Sequence, residues 1–535
     1  MNSDHKLHGT AHELEKPSQD LMQDVTVDTQ GTPENIDEHN PSGKTFFGHP
    51  FSLANLFCVE MWERFSFYGM QGILLIYMYY TAERGGLGIE QSVAAGIVGA
   101  YGGTVYLACI LGGWIADRLL GPERMMFYAA ILIMCGHISL ALIPGVLGLA
   151  VGLVCIALGS GCLKTSATTL VGSLYAIGDT RRDAGFSVFY MGINVGALFG
   201  PLLTGLAQAQ GPDFFRTLGL TSLGNPGAGF HAGFGLAAVF MALGLIQYAM
   251  NRKHLPDTVR VIPNPLPRAH RLRAILIGLA GIALIALAFI TGIVTTENLA
   301  PTVIVVTALA AVALFAVILT SSKIDSTERS RIYSFIPMFI GSAAFWALYQ
   351  QQFTVVTIYS DKRLDRHIPF LDLVMPVSWV QSINAVFIIL LAPLFAMLWT
   401  KLGKRQPNTP LKFGLGIILM GSAFVLFLPM VGVTGVPVLW IVLILGVATL
   451  GELCLSPVGM SLASKLAPKA FPVMMVALFY LSVALGTALS GYLAEFYSAE
   501  NEGAYFGVLG AITIGIGVVM LAISRPVHRA MRGID

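Results

Sequence analysis

The sequence predicts an all-α membrane protein of about fourteen transmembrane helices, built as two six-helix bundles with a two-helix central hairpin between them. Three observations predict it. Of 535 residues, 55% are hydrophobic and only 12% are charged, against roughly 25% charged in a soluble chain, and the mean hydropathy is +0.71. Apolar windows of about 20 residues, the length that crosses a bilayer, follow one another with short connections. Lys and Arg concentrate in alternate connections.

Residues 1–44 are of another kind. They hold nine Asp or Glu against three Lys (Lys6, Lys16, Lys44) and have no apolar periodicity, the composition of a disordered acidic tail. They lack the basic start, apolar run and small-residue cleavage site of a signal peptide, so the first span is expected to direct insertion. Spans are expected near 51–80, 92–116, 125–147, 149–173, 184–208, 231–250, 272–292, 300–321, 333–359, 378–401, 411–430, 437–461, 473–497 and 503–524.

An even number of spans puts both termini on one face. The connections on that face carry twenty-two Lys and Arg, the opposite ones five. By the positive-inside rule both termini are expected in the cytoplasm, and the protein in the cell membrane. The basic, Pro-rich stretch 251–273 divides six spans from the rest. The expected units are therefore 1–44 (tail), 45–250 (first bundle), 251–332 (basic linker and hairpin) and 333–535 (second bundle). The hairpin spans hold only apolar and small residues and are expected to face lipid.

Nothing suggests nucleic-acid binding, since the net charge is +2 and no basic patch interleaves with aromatics. The six cysteines all lie in apolar spans without CxxC pairing or a His at zinc spacing, and are expected to be packing residues. No cofactor or metal is expected.

Charges inside spans carry the functional signal. A charge at mid-bilayer costs at least ~2.5–3.5 kcal/mol on insertion scales, yet CVEMWERFSFYG at 58–69 holds Glu60, Glu63 and Arg64. On a helix these three, with Phe67, Tyr68 and Gln71, share an arc of about 140°. Glu60 and Arg64 can pair at i,i+4, which by itself leaves Glu63 without a partner. Lys164 in GSGCLKTSATTL and Glu452 in LGELCLSPVGMS are of opposite sign and fall in opposite halves. They could neutralise each other across the interface in a pair that is made and broken. GSGCLKT lacks the Gly before Lys of a phosphate loop and follows no strand, so ATP binding is rejected. Tyr190, Asn194 and Asn384 are uncharged polar groups at similar depth, equally suited to interhelical bonds or ligand contact. His137 receives no role.

GGWIADRLLG at 112–121 resembles the loop after the second helix of the major facilitator superfamily. Dispersed motifs resemble, more specifically, the proton-coupled oligopeptide transporter family, across nearly the whole chain after residue 43. They are Glu60-x-x-Glu63-Arg64-Phe65-x-Phe67-Tyr68-Gly69, FSVFYMGINVG, Lys164, Phe345-Trp346 and Gly451-Glu452-Leu453 with Ser456-Pro457. The resemblance implies the major facilitator fold and a symporter that imports di- and tripeptides with protons, with a monomer as the expected functional unit.

It further implies proton coupling at Glu60, Glu63 and Arg64 with Lys164 and Glu452. Arg64, Tyr68, Tyr106 and Lys164 would meet the peptide carboxylate. Asn194, Asn384 and Glu452 would meet its amino end, with Tyr190, Trp346 and Ser456 completing the site. Four positions depart from the family pattern: Phe67 for Tyr, Gln71 for Arg, Gln350 for Glu and Leu478 for Trp. Gln71 and Gln350 are expected to close the outer gate by amide hydrogen bonds in place of an ion pair. The alternative is the same fold moving another small solute, such as an amino acid, nitrate or a peptide-like compound. A scaffold lacking transport would call for a large extramembrane domain. An enzyme would call for a catalytic motif, and none is present.

Overall fold

The computed structural model describes residues 45–175, 179, 181–217, 226–368 and 373–534; the expected acidic tail over 1–44 lies outside the described residues. Thirteen helices among the described residues are long and apolar enough to cross a membrane. The fourteenth is α1 (Ser52–Tyr79), whose 28 residues reach about 42 Å and which the charged run at 60–64 makes more polar than the rest.

The first bundle continues with α2 (Gln91–Ile115), α3 (Pro122–Leu142), α4 (Gly145–Ser173), α5 (Arg182–Thr217) and α6 (Pro226–Asn251), and the hairpin is α7 (Arg268–Ile290) and α8 (Leu299–Thr320). The second bundle comprises α9 (Ser326–Tyr349) with its continuation α10 (Val355–Arg363), α11 (Trp379–Leu402), α12 (Thr409–Val425), α13 (Val438–Leu466), α14 (Pro472–Ala494) and α15 (Glu502–Ala522), followed by the short α16 (Ser524–Ala530). The face at which α1 begins and α15 ends is called here the terminal face, and the opposite one the far face.

Local chemistry sets several boundaries. The expected span over 125–147 stops at Leu142, because Ile143 precedes Pro144 and turns extended, as the clash with a following proline ring requires. α9 opens on a capping box in which Asp325 accepts from the Glu328 amide and the Glu328 side chain accepts from the Asp325 amide. The expected single span over 333–359 is interrupted. Gln350–Phe353 forms a 3-10 turn, and Thr354 leaves helical geometry at φ −123° and ψ −95°.

Within the first bundle α1 packs against α5 and α6, and α4 lies between α2 and α3; in the second, α12 packs against α13 and α15, and α9 against α14. The basic linker is pinned under the first bundle. The amides of Asn264 and Leu266 donate to the carbonyls of Asp117 and Arg118, and Arg252 pairs with Glu123 at 2.6 Å. The hairpin is only half as expected. α7 has no buried residue, whereas α8 buries Ala300, Thr307, Ala311 and Ile318 where it packs on α2 and α14.

Two seams join the bundles, α2 against α14 and α5 against α11. In the first the backbones touch, since a Cβ on Gly99 would lie 2.4 Å from Gly491 Cα; small residues permit this approach. In the second, Ser378 Oγ, Trp379 Nε1 and Ser382 Oγ donate to the carbonyls of Pro201, Leu202 and Leu198 at 2.8, 3.0 and 2.8 Å. Among the described residues no comparable interface joins α4 to α13. The bundles therefore meet toward the far face and stand apart at the terminal face.

Candidate functional site

The charges of α1 are buried together: Glu60 is 1%, Glu63 0% and Arg64 2% exposed. Arg64 Nε donates to Glu60 Oε1 at 2.8 Å and lies 3.0 Å from Glu63 Oε2. Nε carries one hydrogen, which points to Glu60, so the contact with Glu63 is one of charge only. Glu63 is not left without a partner, because Ser160 Oγ on α4 donates to its Oε1 at 2.6 Å. Glu60 Oε2, Glu63 Oε2 and Arg64 Nη2 are buried without hydrogen-bond partners. Buried unsatisfied charge is costly. The cluster thus keeps donor and acceptor capacity for something else.

Lys164 Nζ stands over the Tyr106 ring at 4.6 Å and is in electrostatic range of Glu63. It does not pair with Glu452, contrary to the expected bond across the interface. Glu452 Oε2 instead accepts from Asn384 Nδ2 at 3.0 Å. Asn384 also donates to Thr449 Oγ1 at 3.0 Å and accepts from Tyr349 Oη at 3.1 Å. With α4 and α13 apart, the lysine is held by its own bundle and the glutamate by an amide network in the other. Tyr68 connects the two poles, being in electrostatic range of Arg64, Lys164, Tyr106 and Glu452, and its ring stacks on Phe353 at 6.2 Å.

The remaining residues are placed unevenly. Tyr190 is 41% exposed. Asn194 is buried and spends its Nδ2 on the Tyr190 carbonyl of its own helix at 2.9 Å. Trp346 is buried against Tyr349 at 5.0 Å between ring centroids, with Nε1 unpartnered. Ser456 is half-buried one turn along α13 from Glu452. Leu478 is fully buried, as is His137.

The expected amide gate is not formed. Gln71 Oε1 is buried without a partner, and the buried Gln350 side chain lies beside Tyr106 instead. The far face is bridged further out. Asp361 on α10, its side chain 6% exposed, accepts from Tyr79 Oη and Tyr80 Oη at the end of α1, each at 2.7 Å. Arg366 holds the same carboxylate at 3.2 Å. Beside it Lys362 donates to Gln91.

Sequence reasoning missed this bridge, because Asp361 reads as part of an exposed charged loop. It also missed Ser160, Tyr349 and Thr449. Ser160 was detectable, being one turn before Lys164 on the same face of α4.

The profile described as the POT family matches residues 123–509. An uncharacterized transporter, YclF, of Bacillus subtilis (strain 168) is 42% identical, over 92% of this chain and 97% of its own. A di-/tripeptide transporter of Lactococcus lactis subsp. cremoris is 38% identical, over 92% of this chain and 98% of its own. Among solved structures, a glutamate-to-glutamine mutant of a peptide transporter POT in complex with alafosfalin superposes with a TM-score of 0.84 at 43% identity, covering 93% of this chain and 99% of that one. A POT family transporter in complex with 5-aminolevulinic acid gives a TM-score of 0.82 at 37% identity, covering 90% and 98%. With two six-helix bundles, a two-helix hairpin between them and a profile match spanning most of the chain, this multi-pass membrane protein belongs to the POT family.

Proposed function

We propose that the protein is a proton-coupled symporter that imports di- and tripeptides across the cytoplasmic membrane by alternating access, with both termini in the cytoplasm. The observation that carries this reading is the arrangement of opposite poles in one crevice. Arg64 and Lys164 line the first bundle, Glu452 with Asn384 and Tyr349 lines the second, and Tyr68 lies between. A short peptide with a free carboxylate and a free amine complements both poles, and relatives of this chain are named di-/tripeptide transporters.

In this reading the structure corresponds to a state open to the cytoplasm, closed at the far face by Asp361 with Tyr79 and Tyr80. A proton entering the Glu60–Glu63–Arg64 cluster from outside reduces its net negative charge and frees Arg64 for the peptide carboxylate. Peptide and proton together permit closure of the far face. The cluster then opens to lower proton activity, and proton and peptide leave. Coupling is the difference in proton affinity between the two states.

The test is uptake of labelled dialanine into proteoliposomes with and without an inward proton gradient, in the wild type and in Glu63→Gln. Gradient-driven accumulation that the variant loses is the expected result. Absence of dialanine uptake by correctly inserted wild-type protein would refute the substrate.

A further inference from the structure

Tyr101 on α2 is a buried polar residue beside the charges of α1 to which nothing above gives a task. It is 5% exposed, and its hydroxyl is buried without a hydrogen-bond partner. Its ring stacks on Phe67 with centroids 6.1 Å apart and 25° between planes. The Arg64 guanidinium lies 5.7 Å from the same Phe67 ring. The hydroxyl is in electrostatic range of Glu63 and Arg64. A phenylalanine would fill this position equally well if packing were all that it did.

We propose that Tyr101 is a further member of the proton-coupling cluster, its hydroxyl serving through one water the Oε2 of Glu63, which has the charge of Arg64 beside it but no hydrogen bond. This rests on the reading of the protein as a proton-coupled transporter. The chemistry of the partners singles out the carboxylate. An arginine only donates, so it suits a carboxylate that stays charged, whereas a hydroxyl donates to a charged carboxylate and accepts from a protonated one. Glu60 takes the one Nε hydrogen of Arg64 at 2.8 Å, whereas Glu63 has Arg64 only as a charge 3.0 Å from its Oε2. Glu63 has the Ser160 hydroxyl on Oε1, and with Tyr101 serving Oε2 it is held on both oxygens by groups that tolerate either state. Glu63 is therefore the member that takes up and gives back the proton, and Glu60 remains the counter-ion of Arg64. Tyr101 is a positioning residue that acts through Glu63.

The surroundings contribute a limited set of other groups. α1 presents Glu60, Arg64 and Tyr68, α2 presents Tyr106 and Cys109, and α4 presents Ser160 and Lys164. α14 adds Tyr480, and α13 reaches the cluster through the effect of Glu452 on Tyr68 and Tyr106. α5 offers a glycine, Gly196, whose Cβ position lies 2.9 Å from Arg64 Cβ. α6 offers the Met241 sulfur to Ser66.

Tyr101→Phe removes the hydroxyl and keeps the stacked ring. The measurement is gradient-driven dialanine uptake against external pH in proteoliposomes, beside gradient-free dialanine counterflow, which reports folding and peptide exchange. Counterflow that persists, with the half-maximal pH of driven uptake displaced upward by about one unit, is the expected result, because a hydrogen bond to a carboxylate favours its charged form. The double variant Phe67→Tyr with Tyr101→Phe returns a hydroxyl on the neighbouring ring and is expected to move the profile back. A Tyr101→Phe profile superimposable on wild type overturns the proposal. So does loss of counterflow together with uptake that the double variant fails to restore, since that marks a packing role. Absence of counterflow in the wild type would instead remove the transport reading itself, and the proposal with it.

Discussion

The bridge at the far face permits a quantitative prediction. Asp361→Asn keeps the shape of the side chain and one acceptor oxygen but removes the charge. Tyr79 Oη and Tyr80 Oη each donate to the carboxylate at 2.7 Å, and both bonds run from the first bundle to the second, so they exist only while the far face is closed. Arg366 belongs to the same bundle as Asp361 and contributes little to the difference between states. A hydrogen bond to a charged group is worth about 1.5–3 kcal/mol net and one between neutral groups about 0.5–1.5. The substitution therefore removes roughly 1–1.5 kcal/mol per bond, or about 2–3 kcal/mol for the pair, from the closed state. At about 1.4 kcal/mol per factor of ten, the equilibrium moves toward far-face opening by roughly 30- to 150-fold.

The assay is the distance distribution between spin labels at residues 83 and 365, both exposed on the far face, in protein whose six cysteines have been replaced. From a closed population of about 99%, a 30-fold shift leaves roughly a quarter of molecules in a longer-distance state. A distribution unchanged by Asp361→Asn, in protein that still carries out dialanine counterflow, would show that the seams α2–α14 and α5–α11 hold the far face by themselves.

Two further outcomes follow from the site. Gln350→Ala removes a buried amide beside Tyr106 that is not a proton carrier, so driven uptake is expected to persist with a modest loss of affinity, about fivefold for a polar contact worth about 1 kcal/mol; abolished uptake would place Gln350 on the proton path. Glu452→Gln removes the anionic pole while leaving an acceptor for Asn384, and should weaken competition by dialanine at least tenfold, from the loss of a charge-assisted bond worth about 1.5–3 kcal/mol. N-acetyl-dialanine, lacking the free amine, should compete poorly with wild type and be nearly indifferent to that substitution. Equal losses for both ligands would show that Glu452 does not read the amine.

The sequence by itself determined the number and order of the spans, because each needs only enough apolar length to satisfy its backbone in lipid. It also determined which side chains were exceptional, because a charge in such a span stands out in composition alone. Glu60, Glu63 and Arg64 on one face of α1 follow from helical periodicity, and the structure buries all three together. The tertiary structure decided which partner each charge takes. Lys164 and Glu452 are a natural pair by sign and depth, yet one rests on Tyr106 and the other on Asn384, because the bundles stand apart at the terminal face and reach of side chain cannot bridge a rigid-body separation. The same rigid-body arrangement brings Asp361 to Tyr79 and Tyr80, residues 282 and 281 positions away in the chain. No local pattern encodes that contact, because it depends on how the two bundles meet.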